Sequence, residues 1–190
     1  MSEIFLISDP HFDHANVIAF GGRPFSCVNE MNEVLIEKWN RVVGKRDVVV
    51  CLGDWGMSTS SYKIASRLRG RKRLVMGNHD KGNLQELSRH FISVHGSLRK
   101  WEMLLTHIPV VFDEYHRYGV NVHGHLHSDN PRDPLPKDRY ININMDVWRG
   151  TEAYAPIPIE VVKSLAEQMS HRLILEFIRD KESKSRGSNE

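Results

Sequence analysis

Short apolar runs alternate with amphipathic stretches along the chain, and this alternation predicts an α/β architecture. IFLIS (4–8), DVVVCLG (47–53), KRLVMG (72–77), MLLT (103–106) and VNVHG (120–124) read as strands, with YININ (140–144) as a further strand-like stretch. Their continuous apolar character predicts burial on both faces. A helix is expected from about Asn29 to Val43, with Met31, Val34, Leu35, Trp39, Val42 and Val43 on one stripe. Asn29 would cap its start and Gly44 would stop it. A second is expected between about Thr59 and Arg69, with Ile64 and Leu68 inward and Gly70 closing it. The last begins near Pro158, a residue favoured at the first helical position, and turns Val161, Leu165, Met169, Leu173 and Phe177 to one side.

The segment SDNPRDPLPKDR (128–139) reads as a long loop, of a length that is uncommon unless it serves a site or moves. Residues 181–190 carry nothing to bury and read as a disordered tail. No repeat or linker divides the rest, so residues 1–180 are expected to form one domain.

Composition narrows the picture without changing it. A formal net charge of +2 gives no bulk signal for nucleic-acid binding, which stays open but unindicated. The local cluster Arg67, Arg69, Arg71, Lys72 and Arg73 reads as a solvated helix end and loop. Cys27 and Cys51 have no metal or redox spacing, and Cys51, inside VVVCLG, reads as a small buried hydrophobe. No stretch approaches the ~20 apolar residues of a membrane span. IFLI lacks the basic lead-in of a signal peptide. A soluble, cytoplasmic protein is expected.

The candidate chemistry lies in where the apolar runs end. IFLIS delivers Asp9 and His11, and VVVCLG delivers Asp54. RLVMG delivers Asn78, His79 and Asp80; MLLT delivers His107; VNVHG delivers His125 and His127. Ligands of open α/β sheets bind beyond the carboxyl ends of the strands, so these groups would converge. Asp9/His11 and His125/His127 are i,i+2 pairs, which an extended chain sends to the same side. Gly53, Gly77 and Gly124 each precede a ligand candidate, where the chain must turn and approach closely. Carboxylate, imidazole and one amide oxygen, without thiolate, suit Mn, Fe, Zn or a similar divalent ion. Seven donors exceed the need of one ion and suit two sharing a carboxylate, the arrangement that serves phosphoryl transfer.

The strings SDPHFDH, GDW, GNHD, LTHIP and GHLH, in that order over residues 8–127, resemble the five signature blocks of the calcineurin-like metallophosphoesterase superfamily. The closest likeness is to its small, single-domain members from bacteria and phages. The resemblance implies a four-layer α-β-β-α sandwich of two mixed sheets flanked by helices. It implies two divalent ions, Mn first and Fe, Zn, Ni or Mg as alternatives, bridged by Asp54. One ion would take Asp9, His11 and His127, and the other Asn78, His107 and His125. A bridging hydroxide would attack phosphorus, with His79 serving the leaving oxygen and Asp80 orienting His79. After Gly53-Asp54 the chain reads WGMSTSS, so the phosphate-binding arginine of protein phosphatases is missing and that activity is not expected.

Beyond the metal donors, Arg23 in GGRPF is the candidate phosphate-binding residue, with an exposed loop arginine as the bland alternative. His14 reads as a surface histidine or one that meets substrate, and His123 as a core residue or one just behind the metal donors. His90, His95, His116 and His171 carry no partner spacing. Trp55 and Trp148 could stack a base, though burial explains them equally. The expected activity is hydrolysis of a phosphodiester or phosphomonoester of a small molecule or nucleotide, without a membrane partner. A nuclease on short or single-stranded nucleic acid, and a non-catalytic scaffold, are the alternatives.

Overall fold

The computed structural model describes residues 2–110, 119–128, 139–148 and 150–171. The strands are β1 (Ile4–Ile7), β2 (Val48–Cys51), β3 (Arg71–Val75), β4 (Ser93–His95), β5 (Leu98–Lys100), β6 (Met103–Leu105), β7 (Val120–His123), β8 (Tyr140–Asn142) and β9 (Ile157–Pro158). The α-helices are α1 (Asn16–Phe20), α2 (Val28–Val42), α3 (Leu84–Leu87) and α4 (159–171). One sheet has the order β4-β3-β2-β1-β9, parallel except for β9. The other has the order β5-β6-β7-β8, parallel except for β5. The protein is therefore an α/β sandwich of two mixed sheets with flanking helices.

Alternation along the first sheet builds two cores at once. Phe5, Ile7, Val49, Cys51 and Leu74 face Met31, Leu35 and Trp39 of α2. Leu6, Val50, Leu52 and Val75 face the second sheet, where they meet Met103, Leu105, Val120, Val122 and Ile141. Each such side chain, fully buried, contributes about 1.5–3 kcal/mol of transfer free energy. Burial on both faces explains why β1 and β2 read as unbroken apolar runs. Cys27 and Cys51 are both free, the first exposed and the second buried. Among the described residues, no helix is long and apolar enough to cross a membrane.

Several local expectations are corrected. Helix α2 begins before Asn29; Cys27 sits at its extended N-cap, and Val43, not Gly44, ends it. Residues Thr59–Arg67 form a 3₁₀ helix that stops short of Arg69. Lys72 does not lie in a solvated loop: it is buried, and its ammonium donates to the Ala65 and Leu68 carbonyls that close this helix. Pro158 belongs to β9, and α4 follows it. That helix buries Ile159, Val162 and Ala166, while Leu165 is exposed and Val161 and Met169 only flank the core. The i+4 spacing thus picked a neighbouring stripe of the same helix. Leu173, Phe177, the 181–190 tail, His116 and most of the 128–139 loop lie outside the described residues.

Candidate metal centre

The parallel strands of both sheets point their carboxyl ends to one edge. There Ser8 and Asn144 form an isolated parallel bridge that ties the end of β1 to the segment after β8. Beyond the strands, β1 and β2 remain zipped: Asp9 N–H donates to Gly53 O (3.1 Å), and His11 N–H donates to Asp54 O (3.0 Å). The backbone here is not extended. Asp9, His11, Asp54 and His125 have φ of 58°, 51°, 52° and 66°. The left-handed region costs a non-glycine residue about 1–2 kcal/mol, strain that surrounding structure must hold. The i,i+2 argument is thus corrected: kinked chain ends, not an extended strand, aim these side chains.

The donors fall into two groups, Asp9–His11–His127 and Asp54–His107–His125, with the atoms of each group within 4.8 Å of one another. The pair His125/His127 is divided between them. Asp54 faces both: its Oδ2 is 3.6 Å from His11 Nε2, and its Oδ1 is 3.4 Å from His107 Nε2. Asn78 Oδ1 lies 3.0 Å from the same His107 nitrogen, so it joins the second group. All seven candidate donors are brought together. Close approach explains all three glycines, and at Gly77 a Cβ would collide with Asp54 Oδ1 and the Asp54 backbone nitrogen. A Cβ at Gly53, whose φ is +91°, would sit 2.6 Å from His107 Nδ1, and one at Gly124 would collide with Ser8 Oγ and Asp9 Oδ2.

Hydrogen bonds hold two of the imidazoles, His107 and His127, with Nε2 inward. His107 Nδ1–H donates to Leu52 O (2.8 Å), and His127 Nδ1–H donates to Asp146 Oδ2 (2.7 Å). Such partners orient a metal-binding imidazole and raise its basicity. Asp9 is fixed by Ser8 Oγ at 2.6 Å and by the backbone N–H of His125. Burial pushes Asp9 up to about 6 and His11 down to about 3. The imidazole of His11 is therefore neutral, with a lone pair to offer. For Asp54, burial works upward as the largest single effect, but the hydrogen bond and charge of His107, the His79 N–H and the charge of His11 together outweigh it and hold the carboxyl at about 2. Burial alone would lower His107, yet the hydrogen bond to Asp54, the Asp9 and Asp54 charges and the Leu52 carbonyl together leave it raised, and metal binding at Nε2 would displace that proton. Buried carboxylates beside neutral imidazoles fit divalent cations, which would relieve the cost of burying Asp9 as an anion.

Two expectations change here. Asp80 does not orient the ring of His79. Its carboxylate accepts from the backbone N–H groups of Asp54 (2.9 Å), Trp55 (2.9 Å) and Gly77 (2.7 Å), so it braces the loop that carries Asp54. Arg23 is neither exposed nor free for phosphate. It donates from Nε to Asp146 Oδ1 (2.7 Å), from Nη1 to Pro10 O and Met31 Sδ, and from Nη2 to Asp9 O and Asp146 Oδ2. Its five N–H directions all meet protein acceptors, and both side chains of the Arg23–Asp146 pair are 0% exposed. Arg23→Ala should therefore lower unfolding free energy by about 3–5 kcal/mol, because Asp146 is left as an uncompensated buried charge. Urea denaturation measures this; unchanged stability with a raised KM would return Arg23 to phosphate binding.

His79 lies outside both groups, with Nε2 3.9 Å from Asp54 Oδ2 and 36% of its side chain exposed. His14 sits 5.3 Å from His11 and 6.4 Å from His79, ring to ring, so it belongs to the site's wall and not to a remote surface. His123, Trp55 and Trp148 are buried, and the two indoles donate to Ser61 O and Thr151 Oγ1. Trp55 packs in the core beneath α2 and Trp148 in the core between the sheets. Two residues escaped the sequence reading: Asp146, which follows β8 as the other donors follow their strands, and Phe20, whose ring lies 5.2 Å from His127.

Two mixed sheets with paired carboxylate–imidazole groups at one edge define an α/β sandwich built around a candidate metal centre. The chain belongs to the calcineurin-like phosphoesterase family, whose model matches residues 2–181. It is 36% identical to an uncharacterized protein of Methanocaldococcus jannaschii, over 88% of this chain and 93% of that one. It is 27% identical to the gene 66 protein of Mycobacterium phage D29, over 91% of this chain and all of that one. A crystal structure of a protein of unknown function from Aquifex aeolicus superposes with a TM-score of 0.67 at 25% identity, covering 87% of this chain and 100% of that one.

Proposed function

We propose that the protein is a metal-dependent phosphoesterase that hydrolyses phosphodiesters through two divalent ions, Mn²⁺ first among them. The observation that carries this reading is Asp54, whose two carboxylate oxygens face separate donor groups. Asp9, His11 and His127 would hold one ion, and Asn78, His107 and His125 the other, with Asp54 between them. When bound, such a pair activates water and neutralises charge on the phosphoryl oxygens.

The chain's own residues supply the rest. Leu52 O and Asp146 keep the Nε2 atoms of His107 and His127 turned inward, and Asp80 fixes the Asp54 loop. A water oxygen joins phosphorus and gives its proton to solvent, while the bond from phosphorus to the ester oxygen breaks and that oxygen leaves with a proton from His79, which solvent then restores. The partial exposure of His79 suits a group that meets substrate. A diester, with one negative charge, suits a site whose nearby arginine is already paired with Asp146.

Metal analysis of the purified protein, with hydrolysis of bis(p-nitrophenyl) phosphate and p-nitrophenyl phosphate compared under added Mn²⁺, tests the reading. Two ions per chain and faster diester turnover are expected. No bound or activating metal and no turnover of either ester would leave a scaffold on this fold.

A further inference from the structure

Phe20 ends the five-residue helix α1 and is 56% exposed, an aromatic side chain left in water beside the candidate metal centre. Its position is held from several sides. Val17, one turn earlier, is fully buried in the core. Gly21 packs so tightly that an added Cβ would stand 2.7 Å from Asp146 Oδ2. Gly21 N–H donates to Val17 O (2.8 Å), and Arg23, two residues on, is locked to Asp146.

The ring meets three histidines of the site. Its centroid is 5.2 Å from His127 at 83°, 5.7 Å from His14 at 60° and 6.4 Å from His11 at 87°. Edge contacts on His127 and His11 leave the exposed part of the ring as an apolar platform beside the donor groups. The other large exposed hydrophobics among the described residues, Leu84, Ile92, Ile108 and Leu165, are aliphatic. No core contact accounts for keeping a phenyl ring in water here, whereas stacking against a planar group does.

We infer that Phe20 is a specificity-determining residue that stacks on the base of a nucleoside phosphate ester whose phosphorus lies over the two donor groups. The inference rests on the phosphoesterase reading and narrows its substrate class. His14, tilted against Phe20 and 6.4 Å from His79, completes the wall on that side.

The test uses two esters with the same leaving group, thymidine 5′-(p-nitrophenyl phosphate) and ethyl p-nitrophenyl phosphate, so the step served by His79 is common to both. The Mn²⁺-loaded protein should favour the thymidine ester in kcat/KM by roughly 5–150-fold, the range that a single base–aromatic stack supports. Phe20→Ala and Phe20→Leu should bring that ratio close to one, and Phe20→Trp should keep it. An unaltered ratio in Phe20→Ala overturns the inference while leaving the phosphoesterase reading intact. Titration of thymidine 5′-monophosphate into the same proteins by calorimetry separates the two failures. Phe20-dependent binding without turnover of either ester sustains the platform and sinks the hydrolase, and no binding and no turnover sink both. Competition by a single-stranded oligothymidylate that weakens steeply with salt would assign the base to nucleic acid, and salt-insensitive competition by mononucleotide to a free nucleotide.

Discussion

Asp54→Asn is expected to release both ions and to lower kcat/KM by about 10³-fold or more. Asp54 Oδ2 stands 3.6 Å from His11 Nε2, and Oδ1 stands 3.4 Å from His107 Nε2, so one side chain serves both donor groups. The amide keeps the shape and removes the charge. Its NH₂ would also turn a donor toward one of the two imidazole nitrogens, occupying the lone pair meant for a cation. Metal stabilisation of phosphoryl transfer is worth several kcal/mol, and each 1.36 kcal/mol is tenfold in rate. The fold should survive, because the amide oxygen can still accept the His79 N–H that Asp54 Oδ1 accepts at 2.9 Å. Metal content by plasma mass spectrometry and steady-state kinetics are the measurements. Two ions retained with turnover within about tenfold of the parent would dismiss the shared carboxylate.

The donor positions were legible because the physics that buries a strand stops abruptly where the strand does. In IFLIS-Asp9 and VVVCLG-Asp54 the apolar run ends and charge begins, and parallel pairing then carries each end to the same edge. Asp146 obeys the same rule after YININ, yet its role depends on His127 and Arg23, partners 19 and 123 residues away in the chain. No local pattern announces such a pairing. Arg23 was misread for that reason: the Gly-Gly lead-in suggests reach, but its partner lies beyond β8. The left-handed backbone at Asp9, His11, Asp54 and His125 was equally hidden, since without glycine only long-range hydrogen bonds such as Asp9 N–H to Gly53 O hold it. Strands β4, β5 and β9 are edges of only two or three residues (SVH, LRK and IP) with no apolar run to mark them, unlike the edge strand β8, which lies within YININ. Edge strands are short and polar, Leu98–Lys100 being a good example, and polarity protects them from pairing with other chains.

His79→Ala is the complementary case, expected to lower kcat by about 10²–10⁴-fold, the usual contribution of a positioned general acid, with both ions still bound. The separation of effects follows from geometry. His79 belongs to neither donor group, and its Nε2 is 3.9 Å from Asp54 Oδ2. Its backbone N–H, not its ring, braces Asp54 Oδ1 at 2.9 Å, and that bond survives truncation of the side chain. Asp80 continues to hold the Asp54 loop through the N–H groups of Asp54, Trp55 and Gly77. The loss should also depend on the leaving group. An ester with a p-nitrophenolate leaving group needs little protonation, so its kcat should fall less than that of an alkyl ester, whose alkoxide is a strong base. Equal losses for both esters with metal content unchanged would move His79 from proton transfer to charge neutralisation or positioning. Unchanged kcat for both would remove it from the chemistry altogether.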